Sequence, residues 1–222
     1  FGRKAVRPVG EKVLAVLQAD LVLGKLEESL NGESVAKGAS LFCGRMGERL
    51  FSPAFSLVQD RTDEAYHVPF FDMEGVVNPG DRVPLIENGV LLRPYSDRKA
   101  AALLGEPSTG AASGAYDETP GLSGTNLSIV PGTRTLAELL GGEPALAVLV
   151  ASGGDFTPRG DFASPVQLAM RIEDGRLQGR LPDCSVRGNL FELFGDDFVG
   201  LSSDRPFMGE RALVVRLAVS DG

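Results

Sequence analysis

Two dipeptides, Asn88-Gly89 and Asp174-Gly175, constrain the fold more than any other feature of this chain. Each lies between two short apolar runs, and Asn-Gly or Asp-Gly in that setting is the strongest short-range signal for a β-hairpin. The predicted hairpins pair residues 83–86 with 90–93 and residues 166–172 with 176–181. Because hairpins outnumber strand–helix–strand units, we predict an α+β fold with a mostly antiparallel β-sheet and several short helices.

The rest of the chain is predicted to add short strands, short helices and one long loop. Apolar runs predict strands over residues 13–17, 127–130, 145–151 and 211–219, with a further extended stretch over 50–59. Helical spacing, capping residues and terminal glycines predict helices over residues 18–30, 33–37, 96–105, 135–140 and 189–194. Residues 106–125 are rich in Gly, Ser, Thr and Pro, which predicts a long loop that is either functional or disordered.

Charge and hydropathy narrow the class of protein. The chain has 222 residues, with 22 basic and 30 acidic side chains and a net charge of −8. It has no basic stripe of the kind that neutralises phosphates, so direct nucleic-acid binding is not expected. The longest apolar run, residues 145–151, is far below the roughly 18–20 residues of a membrane helix, so no membrane association is expected. The two cysteines, Cys43 and Cys184, are predicted to be reduced and buried, which favours the cytoplasm.

The sequence lacks the residues of the common hydrolytic sites. His67 is its only histidine, whereas a zinc hydrolase needs three protein ligands, commonly two His on one helix face and a third group. A Cys–His pair would need Cys43 or Cys184 beside His67 and a third residue to orient it, which the spacing does not support. Neither a G-x-S-x-G elbow nor a phosphate-binding P-loop occurs. We therefore predict that His67 is a partly buried structural residue.

Eight short motifs, most of them built around glycine, follow one another along the chain. They are Lys37-Gly38-Ala39-Ser40, Gly44-Arg45-Met46-Gly47-Glu48, Asp72-Met73-Glu74-Gly75, Leu85-Ile86-Glu87-Asn88-Gly89-Val90-Leu91, Ser108-Thr109-Gly110-Ala111-Ala112, Thr125-Asn126-Leu127, Gly160-Asp161-Phe162 and Gly188-Asn189-Leu190. Each is weak alone, but their order and spacing resemble the TldD/PmbA family, often labelled modulators of DNA gyrase. One motif departs from the family, because Ala111 replaces an Asn.

The resemblance implies that a zinc site is missing. In the zinc-binding branch of the family a helix carries H-E-x-x-x-H, in which the two His bind zinc and the Glu activates water. Counted back without gaps from Lys37, these positions hold Leu23, Gly24 and Glu28. The third ligand of that branch is a Cys in a turn near the end, and the matching turn at residues 199–204 has none. The chain is therefore similar to the PmbA/TldE branch, which implies no metal, no cofactor and no catalysis by this chain alone.

The resemblance also implies a domain organisation and a partner. Full-length members carry an additional N-terminal α/β domain, so residues 1–222 are expected to form a single C-terminal-type domain without it. Such a domain would dock onto a TldD-like zinc peptidase, or form a dimer with itself, and complete a cleft for an unfolded peptide. Two alternatives remain: a metal-dependent peptidase, with ligands from Glu27, Glu28, His67 or Asp72, and a protein-binding modulator of DNA gyrase.

The retained motifs supply the candidate peptide- or partner-binding residues, which are Asp72, Glu74, Gly75, Ser108, Thr109, Gly110, Asn126, Gly160, Asp161 and Phe162. In an extended segment Asp72 and Glu74 share a face, and two close carboxylates can raise one pKa and perform acid–base chemistry. In the interpretation that we favour, both accept hydrogen bonds from backbone N–H groups of a glycine-rich turn, and Asp161 caps a turn in a similar way. The glycines at positions 75, 89, 110, 160 and 188 are predicted to adopt positive φ or to make close contacts.

Overall fold

The computed structural model describes residues 11–62, 68–124, 126–152, 154–206 and 209–221. The chain divides into two compact units. The terminal unit is formed by the two ends of the chain, Phe1–Leu23 and Pro131–Gly222, and the central unit by Gly24–Val130.

Short strands outnumber helices throughout the described residues. The strands are β1 (Val13–Leu17), β2 (Leu57–Asp60), β3 (Arg82–Glu87), β4 (Val90–Leu91), β5 (Ala112–Ser113), β6 (Gly121–Leu122), β7 (Leu127–Ile129), β8 (Ala145–Ala151), β9 (Asp161–Glu173), β10 (Arg176–Arg180), β11 (Cys184–Asn189), β12 (Phe198–Leu201) and β13 (Leu213–Asp221). The helices are α1 (Asp20–Ser29), α2 (Gly32–Ala36), α3 (Arg98–Leu104), α4 (Leu136–Leu140) and α5 (Leu190–Leu193). The predicted α+β fold is confirmed. None of these described helices has the length and apolar character needed to cross a membrane.

The strands of the terminal unit close on themselves. β1 pairs with β8 and β13, β8 pairs with β9, β9 with β11, and β11 with β13, so that five strands form a closed ring. β10 and β12 extend this ring from β9 and β13. The pairing of β1 with β8 is parallel and the other pairings of the ring are antiparallel, as the hairpin-rich sequence predicted. Closure pairs both edges of each strand over the paired residues, which shortens the exposed edges that promote aggregation.

Strand β1 is buried on both of its faces, because all five of its residues are buried. Side chains alternate along a strand, so Leu14 and Val16 point the same way, and both join a cluster with Leu139 and Leu140 of α4. The opposite face carries Leu17, which lines a cavity at one end of the ring. Burying a Leu or Val side chain stabilises a fold by about 1.5–3 kcal/mol, so these contacts tie β1 to α4.

The central unit is built on a four-stranded antiparallel sheet in the order β4-β3-β2-β7, with a separate β5–β6 ladder. The predicted hairpin joins β3 to β4, and its turn residues Asn88 and Gly89 both have positive φ, of 48° and 79°. Positive φ at both positions is what a type I′ turn requires. Three phenyl rings stack edge to face in the core, with centroids 6.0 Å apart for Phe42 and Phe51 and 5.5 Å apart for Phe51 and Phe55.

Several segments differ from the sequence-based prediction. Residues 106–125 are not one long loop, because they include the β5–β6 ladder. Of the extended stretch predicted over residues 50–59, only its last part contributes to β2, and β9 begins at Asp161 rather than at residue 166. Strands β11 and β12 were not predicted. In β11 only Cys184 and Val186 are buried, so its apolar pattern is too sparse to stand out in the sequence.

Candidate functional site

Asp72 anchors a tight turn of the central unit. Its side chain is buried, and its Oδ1 accepts hydrogen bonds from the N–H groups of Glu74 (3.0 Å) and Val76 (2.8 Å). Its Oδ2 accepts a third from the N–H of Ala112, at 3.0 Å. Gly75 completes the turn with a φ of 75°, which glycine adopts without strain. Asp72 therefore holds its own turn together and ties it to the loop that contains Ala112.

Glu74 caps a helix. Its Oε2 accepts a hydrogen bond of 2.8 Å from the N–H of Arg98, the first residue of α3. Asp97, the N-cap residue, accepts another from the N–H of Ala100 at 2.7 Å. Carboxylates are stabilised at this end of a helix by its unpaired N–H groups and by the helix dipole. Asp72 thus accepts backbone hydrogen bonds within the glycine-rich turn, as the favoured interpretation predicted. Glu74 was expected to do the same, but it accepts its hydrogen bond from the start of α3.

Ser96 organises the loop that contains Ser108, Thr109 and Gly110. The buried Thr109 accepts a hydrogen bond from the N–H of Ser96 (2.8 Å) through its Oγ1, and its own N–H donates to the Oγ of Ser96 (3.1 Å). The Ser108 hydroxyl and the N–H of Ala111 both donate to the carbonyl oxygen of Ser96, at 3.0 and 3.1 Å. Gly110 has the predicted positive φ, of 73°. Sequence reasoning missed Ser96, because a single serine outside a motif gives no signal.

Arg61 binds three backbone carbonyl oxygens from two segments of the central unit. Its Nη1 donates to Pro69 (2.9 Å) and Phe71 (3.0 Å), and its Nη2 donates to Gly110 (2.7 Å). The guanidinium fork suits this task, because its N–H donors have a fixed geometry. Arg61 therefore joins the segment that precedes Asp72 to the loop that contains Gly110.

Asn126 lies beside β2 and contacts Asp60 through its backbone. It has a φ of 64°, and its carbonyl oxygen accepts the N–H of Asp60 at 2.9 Å. Burial alone would raise the pKa of Asp60, but hydrogen bonds from Arg82 (Nε, 2.9 Å) and Thr62 (Oγ1, 2.6 Å) outweigh it and hold the pKa below its usual value. Asn126 therefore bonds to Asp60, whereas the Asp72 turn bonds to Ala112 and to the start of α3.

The remaining predicted residues, Gly160, Asp161 and Phe162, belong to the terminal unit. Asp161 Oδ1 accepts a hydrogen bond from Asn189 Nδ2 (2.8 Å), and Oδ2 accepts one from the hydroxyl of Thr157 (3.1 Å). These two bonds hold the pKa of Asp161 below its usual value. Gly160 precedes it with a φ of 87°. Asp161 thus closes the turn that leads into β9, as predicted.

A cavity of about 270 Å³ opens at one end of the strand ring. Its apolar wall includes Leu17, Val22, Val148, Phe162, Val186 and Leu217. Phe162 is buried, and its ring centroid lies 5.1 Å from that of Phe156, which also lines the cavity. Gly188 provides room for this ring, because a Cβ there would lie 3.0 Å from Phe162 Cε1. The predicted close contact at Gly188 is therefore with Phe162.

The three positions that the sequence resemblance aligns with a zinc motif, Leu23, Gly24 and Glu28, lie on α1. Leu23 and Gly24 carry no metal-binding group. The side chain of Glu28 is 68% exposed and forms an ion pair with Lys25 at 2.9 Å. An ion pair three residues apart on a helix, with an exposed carboxylate, is typical of a helix surface.

The turn at residues 199–204 is held by Ser202, which is fully buried. Its hydroxyl donates to the carbonyl oxygen of Asp204 (2.7 Å) and accepts the N–H of Ala212 (2.9 Å). Among the side chains that the structure describes, no group of three or more His, Cys, Asp and Glu is placed to hold a metal ion. His67 lies outside the described residues, so its predicted structural role stays a prediction.

Comparison with known proteins decides the family. A family model described as the PmbA/TldA metallopeptidase C-terminal domain matches residues 14–217. The chain belongs to this family. A metalloprotease of Methanothermobacter thermautotrophicus is 28% identical over 169 residues, which cover 75% of this chain and 37% of that protein. The zinc metalloprotease TldD homologue of Saccharolobus solfataricus is 32% identical over 142 residues, which cover 60% of this chain and 31% of that protein.

Solved structures share the PmbA/TldA C-terminal fold. TldE from Thermococcus kodakarensis superposes with a TM-score of 0.79 at 24% identity, covering 96% of this chain and 50% of that one. A candidate modulator of DNA gyrase from Bacteroides thetaiotaomicron superposes with a TM-score of 0.76 at 23% identity, covering 100% of this chain and 49% of that one. The chain thus spans half or less of the length of each of these relatives.

Proposed function

We propose that this chain is a metal-free, non-catalytic subunit of a TldD/TldE-type peptidase complex, in which it helps to form a cleft for an unfolded peptide. The family is one of metallopeptidase C-terminal domains, and the fold is shared with a protein named TldE. In this proposal residues 1–222 act as one domain of that type. The observation that carries the proposal is the chemistry of α1 at the positions of the zinc motif.

Zinc catalysis needs three protein ligands and an open position for water. Leu23 and Gly24 have no donor atom, and Glu28 is exposed and paired with Lys25. A glycine at the position of the catalytic Glu also leaves no side chain to accept a proton from water. This chain would therefore contribute binding surface to the complex, while its partner supplies the zinc.

Two loops of the central unit that are held by hydrogen bonds support a binding role. The turn at Asp72 is fixed by its hydrogen bond with Ala112, and the loop from Ser108 to Ala112 is fixed by hydrogen bonds with Ser96 and Arg61. Loops held in this way on a rigid scaffold can position a ligand without reacting with it. We propose that they form one wall of the cleft, to which an extended peptide adds by pairing with an exposed strand edge.

The proposal predicts activity only in a mixture. The chain is co-expressed with a TldD-like zinc peptidase chain, and cleavage of an unfolded peptide is followed for each chain alone and for the pair. We expect cleavage by the pair and none by this chain alone. Peptide cleavage by this chain alone would contradict the proposal, and so would a pair that is no more active than the zinc chain.

A metal-dependent peptidase is the second candidate, because relatives are named metalloproteases. Glu27 is the strongest candidate for a catalytic residue in this alternative, since burial raises the pKa of its carboxyl. Gly124 packs closely against it, because a Cβ at that position would lie 2.6 Å from Glu27 Oε1. A carboxyl with a raised pKa is a candidate acid or base. This alternative would draw further ligands from Glu28, His67 or Asp72, but both oxygens of Asp72 already accept backbone hydrogen bonds.

A protein-binding modulator of DNA gyrase is the third candidate, and a pull-down from cell extract distinguishes gyrase from a TldD-like chain as the main partner. We also propose the cytoplasm as the compartment and a dimer, with itself or with the TldD-like chain, as the assembly. The cysteines support the compartment only in part, since Cys184 is buried but Cys43 is half-buried, contrary to the prediction.

A further inference from the structure

We propose that the terminal unit binds an extended peptide segment that carries one bulky apolar side chain, at the point where β1 separates from β8. This inference rests on the proposed function, because it names the class of peptide that the chain would hold. Two independent features of the structure meet at this point: an unpaired strand edge and an apolar cavity.

The unpaired edge belongs to the second half of β8. β1 pairs with Ala145, Leu146 and Ala147, and the chain then leaves the sheet to begin α1 at Asp20. β8 continues to Ala151, and on that side no other described strand pairs with it. An extended peptide can add to such an edge through backbone hydrogen bonds, with alternate side chains directed into a pocket.

The cavity lies along this edge. Val148 and Ala151 of β8 form part of its wall, together with Leu17 at the end of β1 and Leu21 in the first turn of α1. Its volume of about 270 Å³ is below the roughly 300 Å³ at which pockets for drug-sized ligands begin. It therefore suits a single large side chain better than a cofactor.

Aromatic rings in the wall of the cavity determine which side chains it would bind. Phe156 and Phe162 lie against each other in its wall, and Gly188 leaves the space that the Phe162 ring occupies. An aromatic side chain in the cavity would gain both apolar burial and ring–ring contacts. The structure thus assigns the pocket to Phe, Tyr or a large aliphatic side chain.

The carboxylate of Asp20 gives the lining of the same cavity a negative charge. Asp20, an exposed residue in the first turn of α1, lines it, and the whole chain carries a net charge of −8. Complementary charge favours partners of opposite sign and disfavours partners of like sign. The preferred segment therefore has a Lys or Arg close to its bulky apolar residue, and acidic segments are disfavoured.

The test uses two fluorescein-labelled seven-residue peptides of Ser, Thr and Lys, one with a central Phe and the other with a central Ala. Fluorescence anisotropy gives the affinity of the 222-residue chain for each peptide. Burial of one Phe side chain predicts that the Phe peptide binds about tenfold or more tightly than the Ala peptide. Ala151→Leu, which fills the cavity, is expected to abolish this difference.

Val150→Leu is the matched control, because Val150 is on the same strand, is 46% exposed and does not line the cavity. It should keep the preference for the Phe peptide, and circular dichroism should show both variants folded. Equal binding of the two peptides by the wild-type chain, or an undiminished preference in Ala151→Leu, would overturn this inference. A mixture with a TldD-like chain that cleaves no peptide, while the Phe preference persists, would contradict only the proposed function.

Discussion

At the scale of single residues, two of the motif carboxylates, Asp72 and Glu74, act as acceptors for backbone N–H groups. Asp72 accepts three such bonds while buried, and Glu74 accepts one at the start of α3. The role of Asp72 could be predicted from the sequence, because an acidic residue close to glycine in a tight turn commonly caps backbone N–H groups. The capping of α3 by Glu74 could not, because Arg98 lies in a different segment of the chain. The roles of Ser96 and Arg61 could not, because each depends on contacts with residues far along the chain.

Replacing Asp72 tests this role directly. Asp72→Asn keeps one acceptor oxygen but places an amide donor against one of the three N–H groups, so we expect the free energy of unfolding to fall by about 1–3 kcal/mol. Glu74→Gln, at a half-buried helix cap, should cost less, about 0.5–1 kcal/mol. Urea unfolding measures both. A midpoint for Asp72→Asn that equals that of the wild type would contradict the assigned contacts.

Asp60 should make stability depend on pH. Its pKa in the folded chain lies below its unfolded value because hydrogen bonds from Arg82 and Thr62 outweigh the effect of burial. The ionised form is therefore favoured by folding, and this stabilisation is complete above the unfolded pKa of about 3.9 and is lost as the pH falls through the lower folded pKa.

The comparison of wild type with Asp60→Asn isolates this effect. The variant should be less stable than the wild type at pH 7, and the difference in free energy of unfolding should shrink as the pH falls below about 4. Urea unfolding at several pH values measures it. A difference that stays constant from pH 7 to pH 2 would show that Asp60 contributes through packing and not through its charge.

At the scale of elements, the hairpin turns were the most predictable part of the fold. Asn88-Gly89 gives the expected tight turn between β3 and β4, because few residue pairs tolerate two successive positive φ values. The β5–β6 ladder and β11 were not predicted, because their sequences carry no strong local signal. Two-residue strands and a strand with few buried residues carry too little alternation to be read from the sequence.

Gly89 and Gly105 distinguish the cost of an unfavourable backbone conformation from the cost of a steric clash. Gly89 and Gly105 have similar φ values, of 79° and 71°, but a Cβ on Gly89 would lie 2.2 Å from the carbonyl oxygen of Phe51, whereas a Cβ on Gly105 would meet open space. Gly105→Ala should therefore cost about 1–2 kcal/mol from its conformation alone. Gly89→Ala should cost more than about 3 kcal/mol, because a backbone clash adds to that strain. Equal losses in thermal unfolding would contradict the clash.

At the scale of the whole molecule, the family could be predicted from the order of its motifs, and the family model and the shared fold confirm it. The closure of the strand ring in the terminal unit could not be predicted. It joins β1 to β13, whose residues are about 200 positions apart, and no local pattern reports such a pairing. The cavity at the end of the ring was missed for the same reason.

The central proposal is that this chain binds no zinc, because α1 presents an aliphatic residue, a glycine and a paired glutamate at the positions that the sequence resemblance aligns with a zinc motif. The most direct test is the zinc content of the purified chain, measured by elemental analysis after dialysis against buffer with added zinc. The account predicts no stoichiometric zinc, because fewer than three ligands are available at these positions. One tightly held zinc ion per chain would contradict it and would favour the peptidase alternative.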